Sequence, residues 1–166
     1  MAIKFINFFV TIFAVALVDK KGRKFLLRIG TAGIVIGEVG AAVMLLLMNM
    51  NIMAVSMTSG IITSIFFYIF VAGFAFGPGV CVWLVLTELM PTKIRANGMA
   101  IAMILNQAVS AAIASVFPTW VEAAGMAGVF GVLAVFSIIY FLIATFVIPE
   151  TKGKTLEEIS KMFEKK

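Results

Sequence analysis

Gly77-Pro78-Gly79-Val80-Cys81-Val82-Trp83 interrupts an apolar run that reads on through Leu84, Val85 and Leu86. Pro78 has no backbone N–H to give a helix, and Gly79 tolerates backbone conformations that other residues avoid. A long apolar helix broken near its middle leaves polar backbone groups without partners, which is costly in lipid. Such breaks are tolerated where the loosened backbone is buried in protein or lines a cavity. Membrane transporters place binding sites at helices of this kind. The plain alternative is a proline kink with no site attached.

The rest of the chain supports the membrane setting. Of its 166 residues 63% are hydrophobic, well above the roughly half that a soluble domain carries. The apolar runs are long and do not alternate, so the expected fold is all-α. Five transmembrane helices are expected, at about 3–18, 27–48, 60–86, 96–117 and 127–147, with a tail over 149–166. The first, Ile3 to Val18, is short against the roughly 20 residues a span needs. The fourth is expected to end at Pro118 and Trp120, with a loop around Glu122. Gly30, Gly33, Gly37 and Gly40 give the second span a small-residue face for close packing. In the tail, Thr155-Leu156-Glu157-Glu158 reads as a capping box, with Leu156, Ile159 and Phe163 on one face of a short surface helix.

Charge placement orients the chain. Twelve of the thirteen Lys and Arg fall in three clusters: Lys20 to Arg28, Lys93 with Arg95, and Lys152 to Lys166. The intervening loops, 49–58 and the one around Glu122, carry no positive charge. The positive-inside rule puts the three clusters and the C-terminus in the cytoplasm. Met1 then lies outside, with no cleavable signal peptide before Asp19. A short first span with that start reads as part of something longer.

Several function classes drop out. The chain has no His, its one Cys has no partner, and no nucleophile–base set or metal-ligand cluster stands out. An enzyme is therefore not expected, and neither a cofactor nor a metal. Lys20-Lys21-Gly22-Arg23-Lys24 lies between membrane spans, which argues against nucleic acid as a partner.

Helical rise gives depths. At ~1.5 Å per residue, Asn7 lies about 18 Å from Asp19. Gly77 and Asn106 each lie about 16 Å from Glu88 and Arg95. The midplane of a bilayer is about 15 Å from its edge. Three polar or broken features on three spans thus share one depth, while Trp83 lies about 8 Å in. The shared depth points to one central polar site, against the alternative of purely structural interhelical Asn bonds. Glu38 also lies within a span, either as a transport carboxylate or as a paired group on a scaffold helix. It lies off the glycine face, which favours the scaffold.

These residues resemble the sugar porter family of the major facilitator superfamily, in its last third. The resemblance rests on Asp19-Lys20-Lys21-Gly22-Arg23-Lys24, Gly77-Pro78-Gly79 with Trp83, and Glu88-Leu89-Met90-Pro91 with Arg95. Asn106, Pro149-Glu150-Thr151-Lys152-Gly153 and Leu156-Glu157-Glu158 complete it. It implies a twelve-helix bundle of two halves rocking about a central sugar, of which spans one to six and the seventh are missing here. It implies that Asn7, Gly79, Trp83, Asn106 and Gln107 belong to the sugar-binding region. It also implies a cytoplasmic charge network of Asp19, Arg23, Glu88, Arg95 and Glu150. The implied partners are a monosaccharide, the lipid bilayer of a plasma or inner cell membrane, and the missing N-terminal half. Self-association is the route by which a lone segment would bury its polar face. Val80 and Val82 stand where many facilitative glucose transporters have proline, and Gln107 where many have Trp. The resemblance therefore implies a sugar, hexose or pentose, without naming it or choosing uniport over proton symport. The competing reading is a truncated membrane paralogue that binds a partner and transports nothing.

Overall fold

The break at Gly77 divides the chain's third long apolar stretch into two helices. A computed structural model describes residues 2–150, 152 and 153. Among these residues all regular structure is helical: α1 (Ala2–Lys21), α2 (Arg23–Asn49), α3 (Met57–Phe76), α4 (Pro78–Leu89) and α5 (Arg95–Leu142), closed by a π turn, Ile143–Val147. Gly77 has φ −110° and ψ −88°, outside helical values, and Pro78 opens α4 at its first position, where the missing N–H takes no hydrogen bond from α4 itself. The expected tail helix, with Leu156, Ile159 and Phe163, lies outside the described residues.

The charged loop expected at 19–24 is almost entirely helical. α1 runs on to Lys21 and α2 begins at Arg23, so the turn is the single residue Gly22, at φ +92°. Glycine alone makes so abrupt a reversal cheap, because other residues pay a steric penalty there. At its far end α2 closes on Asn51, also left-handed at φ +56°, with Ile52 and Met53 donating back to the Leu47 carbonyl. α3 then starts with a reciprocal serine cap. The Ser59 N–H donates to the Ser56 hydroxyl and the Ser56 N–H to that of Ser59. Serine at this third helical position replaces the Glu or Gln that usually marks such a cap.

The expected end of the fourth span at Pro118 and Trp120 is corrected. Helix continues through both, and the non-helical residue is Gly125, at φ +68° and ψ 165°. Pro118 removes one hydrogen bond from a long ladder, which membrane helices tolerate. Gly125 occupies a region of backbone space that is essentially closed to residues with a Cβ. The chain reverses there. Gly98, near the start of α5, packs against Met90, while Tyr140 and Ile148 line a cavity with Val82, Val85, Leu86 and Leu89 of α4. A straight helix would hold Gly98 and Ile148 about 75 Å apart, so α5 is two antiparallel stretches. The α-helical pattern of the second stretch also stops before 147, because Ile148 donates to Ile143 and closes the π turn.

Packing is inverted relative to a water-soluble protein. Phe8, Phe9, Phe13, Ile104 and Phe136 are each more than half exposed, while Thr31, Glu38, Ser59 and Thr63 are buried. The buried hydroxyls bond within their own helices: Thr31 to the Leu27 carbonyl at 2.6 Å, Thr63 to that of Ser59 at 2.8 Å. That arrangement suits an apolar solvent, where unsatisfied polar groups cost several kcal/mol. α2 is the central element. Gly30, Gly33, Gly37 and Gly40 meet α3 at Gly73, Phe70 and Phe66, while Leu27, Ile34, Glu38 and Ala41 on an adjacent face are also buried. Arg23–Asn49, Met57–Leu89 and Arg95–Val147 are each long and apolar enough to cross a membrane.

Candidate functional site

Past the break, α4 carries Trp83 towards the first stretch of α5. Trp83, Met103, Asn106 and Gln107 line one cavity of about 280 Å³. Met103 lies three and four residues before Asn106 and Gln107, so one face of α5 supplies all three. The sequence singled out the two amides and missed Met103, although that spacing pointed to it. Asn106 and Gln107 are exposed and Trp83 is half-buried. The cavity is therefore open on the side of the two amides.

The wall has the chemistry to hold a polyol. Each amide both donates and accepts hydrogen bonds. The indole offers an apolar face and one N–H donor. Gly79 is exposed, one residue past Pro78, and a Cβ there would lie 3.0 Å from the Phe74 carbonyl that Pro78 leaves without an amide donor. Gly79 flanks the break and is not among the residues lining the cavity. Neither is Asn7. It is half-buried on α1, and Val10, one turn further on, faces a separate apolar groove with Gly30, Gly33, Ile69 and Phe76.

At the basic end the chain gathers opposite charges. The Arg23 guanidinium lies 3.1 Å from Glu88 and 3.4 Å from Asp19. The Glu150 carboxylate accepts from the backbone N–H of Arg23 at 3.1 Å and from that of Lys152 at 3.1 Å. This seats an anion on the N-terminus of α2, where unpaired N–H groups and the helix dipole favour it. Gly22 makes room: a Cβ there would lie 2.6 Å from the carboxylate. Lys152 reaches back to the Lys20 carbonyl at the end of α1, at 2.5 Å. Asp19 is 80% exposed, so its pair adds little to stability, whereas Arg23 and Glu88 are about one-fifth exposed and hold α2 to α4 more firmly. Arg95 points both its Nε and Nη2 at the Met90 carbonyl, at 3.3 and 3.1 Å, and so braces the loop after α4. The structure thus joins Asp19, Arg23, Glu88 and Glu150 and sets Arg95 on the adjoining turn.

Glu38 lies on the face of α2 that meets the second stretch of α5. Its carboxyl hydrogen-bonds Ser137, and its Oε2 is buried without a partner among the described residues. It lies apart from the Trp83 cavity. The Ser137 partner comes from a distant part of the chain and had no signal in the sequence. Among the described residues no cluster of His, Cys, Asp and Glu has the makings of a metal site.

Fold and site together define a class: a multi-pass helical membrane protein whose polar wall stands beside a helix broken in mid-span. Comparison with known proteins agrees. The family model described as sugar (and other) transporter matches residues 1–163, and the chain belongs to that family. It is 35% identical over 153 residues to the arabinose-proton symporter of Bacillus subtilis (strain 168), covering 92% of this chain and 31% of that protein. It is 34% identical over 160 residues to solute carrier family 2, facilitated glucose transporter member 3, of Oryctolagus cuniculus, covering 96% and 31%. The inward open conformation of the xylose transporter XylE from E. coli superposes with a TM-score of 0.84 at 28% identity, covering 97% of this chain and 34% of that one. Another XylE structure is described as that of a proton:xylose symporter of the major facilitator superfamily, with a TM-score of 0.78 at 29% identity, covering 97% and 33%. The chain therefore spans about a third of the length of the relatives it matches.

Proposed function

We propose that this chain is the C-terminal portion of a sugar transporter working by alternating access, and that its substrate is a monosaccharide. The observation that carries the reading is the convergence of Trp83, Asn106 and Gln107 on one cavity next to the Gly77 break. The indole face packs against the apolar face of a pyranose or furanose ring, and the amides pair with its hydroxyls. Five spans are assigned: α1, α2, α3 with α4, and the two stretches of α5. The basic clusters put the Gly22 turn, the loop after α4 and the C-terminus in the cytoplasm. The Arg23, Glu88, Asp19 and Glu150 junction then lies at the cytoplasmic face and holds the spans together there, favouring the outward-open state. The chemistry is binding and movement rather than catalysis.

The cavity of about 280 Å³ falls at the lower edge of ligand-site volumes, ~300–1,000 Å³. The opposite wall belongs to the other helices of the complete transporter. The test is sugar uptake by a complete transporter carrying this segment. Trp83→Ala removes the ring contact and Asn106→Ala leaves sugar hydroxyls unpaired. A lost pairing of this sort costs about 1–3 kcal/mol, so apparent affinity falls roughly tenfold or more. Unchanged affinity in both variants would overturn the site.

A further inference from the structure

We propose that Gly30 is a positioning residue for the sugar-contacting wall: it seats the break at Gly77 and thereby sets where α4 carries Trp83. The inference rests on the reading of Trp83, Asn106 and Gln107 as sugar contacts. Gly77 is buried and non-helical, so the break is held by its surroundings and not by a regular helix. Those surroundings are backbone. A Cβ on Gly30 would lie 2.5 Å from the Gly77 Cα, 2.6 Å from its nitrogen and 2.7 Å from the Gly73 carbonyl oxygen. A Cβ on Gly77 would lie 2.7 Å from the Leu26 carbonyl oxygen and 2.9 Å from the Gly30 Cα. Neither neighbour is a flexible side-chain tip that could swing aside. The amides of Val80 and Cys81 both donate to the Gly77 carbonyl, so α4 is anchored on the residue that Gly30 supports.

The geometry makes α4 a lever. Trp83 lies six residues past Gly77, about 9 Å along the helix, so a tilt of roughly 10° at the break moves it about 1.5 Å. Binding constellations need their side chains held within about 0.5 Å. One added methyl at Gly30 forces a shift of that order. The other glycines of α2 do not have this leverage. A Cβ on Gly33 would come no nearer than 3.2 Å, to the Gly73 Cα, with the Gly73 nitrogen and the Ile69 carbonyl oxygen at 3.8 and 3.9 Å, all on the α3 side of the break.

Cys81 is the chain's one cysteine and is fully buried beyond the break, so it reports whether α4 is seated. In the 166-residue chain in lipid bilayers, Gly30→Ala is expected to raise the rate of Cys81 alkylation by a membrane-permeant maleimide about tenfold, as overpacking lowers the cost of opening. With Trp120→Phe as background, Trp83 emission shifts in the same variant. Gly33→Ala and Gly60→Ala leave both signals at the wild-type level. Equal alkylation in Gly30→Ala and wild type overturns the proposal, as does an equal rise in Gly33→Ala, which would mark general loosening of α2 from α3. Should Gly30→Ala fail to insert, hydrogen exchange of the wild-type chain decides: Gly77 and Cys81 amides exchanging as fast as those of residues 52–55 would mean the break is not seated. In a complete transporter carrying the segment, Gly30→Ala raises the apparent KM for sugar about tenfold while Gly33→Ala changes it less than about twofold. A wild-type transporter that carries no sugar would remove the proposed function and leave the alkylation result to decide the seat.

Discussion

Glu38 and Gly22 show how much a single residue's role depends on what the fold brings to it. Glu38 has a hydrogen bond to Ser137 across the interface of α2 and α5 and lies apart from the Trp83 wall. A scaffold role predicts that Glu38→Gln, which can still bond the Ser137 hydroxyl, leaves sugar uptake by a complete transporter within about twofold of wild type. Loss of uptake with normal membrane insertion would instead make Glu38 a transport carboxylate. Gly22 is a different case. Its φ of +92° strains any residue with a side chain, and a Cβ there would also displace the Glu150 carboxylate from the start of α2. Gly22→Ala should destabilise the segment by about 1–3 kcal/mol, read as a lower melting temperature in detergent. Gly60→Ala, where a Cβ meets nothing within 4 Å, should leave that temperature in place.

At the scale of elements, the helices α2 and α4 are joined at the basic end by Arg23 and Glu88. If that junction favours the outward-open form, Glu88→Gln shifts the population towards inward-open without destroying the sugar site. The readout is labelling of a cysteine placed at Ser56, in the uncharged loop before α3. In a complete transporter its labelling should fall in Glu88→Gln; labelling equal to wild type counts against the junction as a latch. α5 supplies a second comparison. Pro118→Ala restores a backbone hydrogen bond within a continuous helix and should be tolerated. Gly125→Ala places a Cβ where the backbone must reverse, and should disrupt the hairpin. Insertion and protease protection of the two variants separate these outcomes: equal behaviour would mean that Gly125 is not the turning point.

For the whole molecule, the polar wall stands open. Asn106 and Gln107 are exposed, and among the described residues the cavity they share with Trp83 is lined from α4 and α5 alone. Alternating access needs two bodies moving about a shared site. Expressed by itself, the 166-residue chain is therefore expected to insert in a membrane and to transport nothing. The measurement is uptake of several labelled sugars in a transporter-deficient cell, with insertion checked separately. Saturable uptake by the inserted chain would show that five spans assemble a complete pathway, through self-association or otherwise.

The sequence by itself determined the membrane setting, the helical class and the position of the central break, because each follows from local chemistry: apolar run length, a missing amide hydrogen, charge at the ends of spans. Depth counted along a helix from the nearest charge also marked Asn7, Gly77 and Asn106, whereas Trp83 and Gln107 were marked by the resemblance to sugar porters. Only the tertiary structure decided which marked residues meet. Asn7 shares the depth of Asn106 but stands outside the cavity, because depth says nothing about direction around a helix axis. Pro118 looked like an end and Gly125 did not, because local propensity weighs a proline heavily, whereas a reversal is fixed by what both arms pack against. The seat of Gly77 on Gly30, the bond of Glu38 to Ser137 and the Glu150 carboxylate over Gly22 join residues far apart in the chain. Such contacts depend on which helices come together; only the close approach at Gly30 had a local signal, the small-residue face of α2, and that signal did not name its partner.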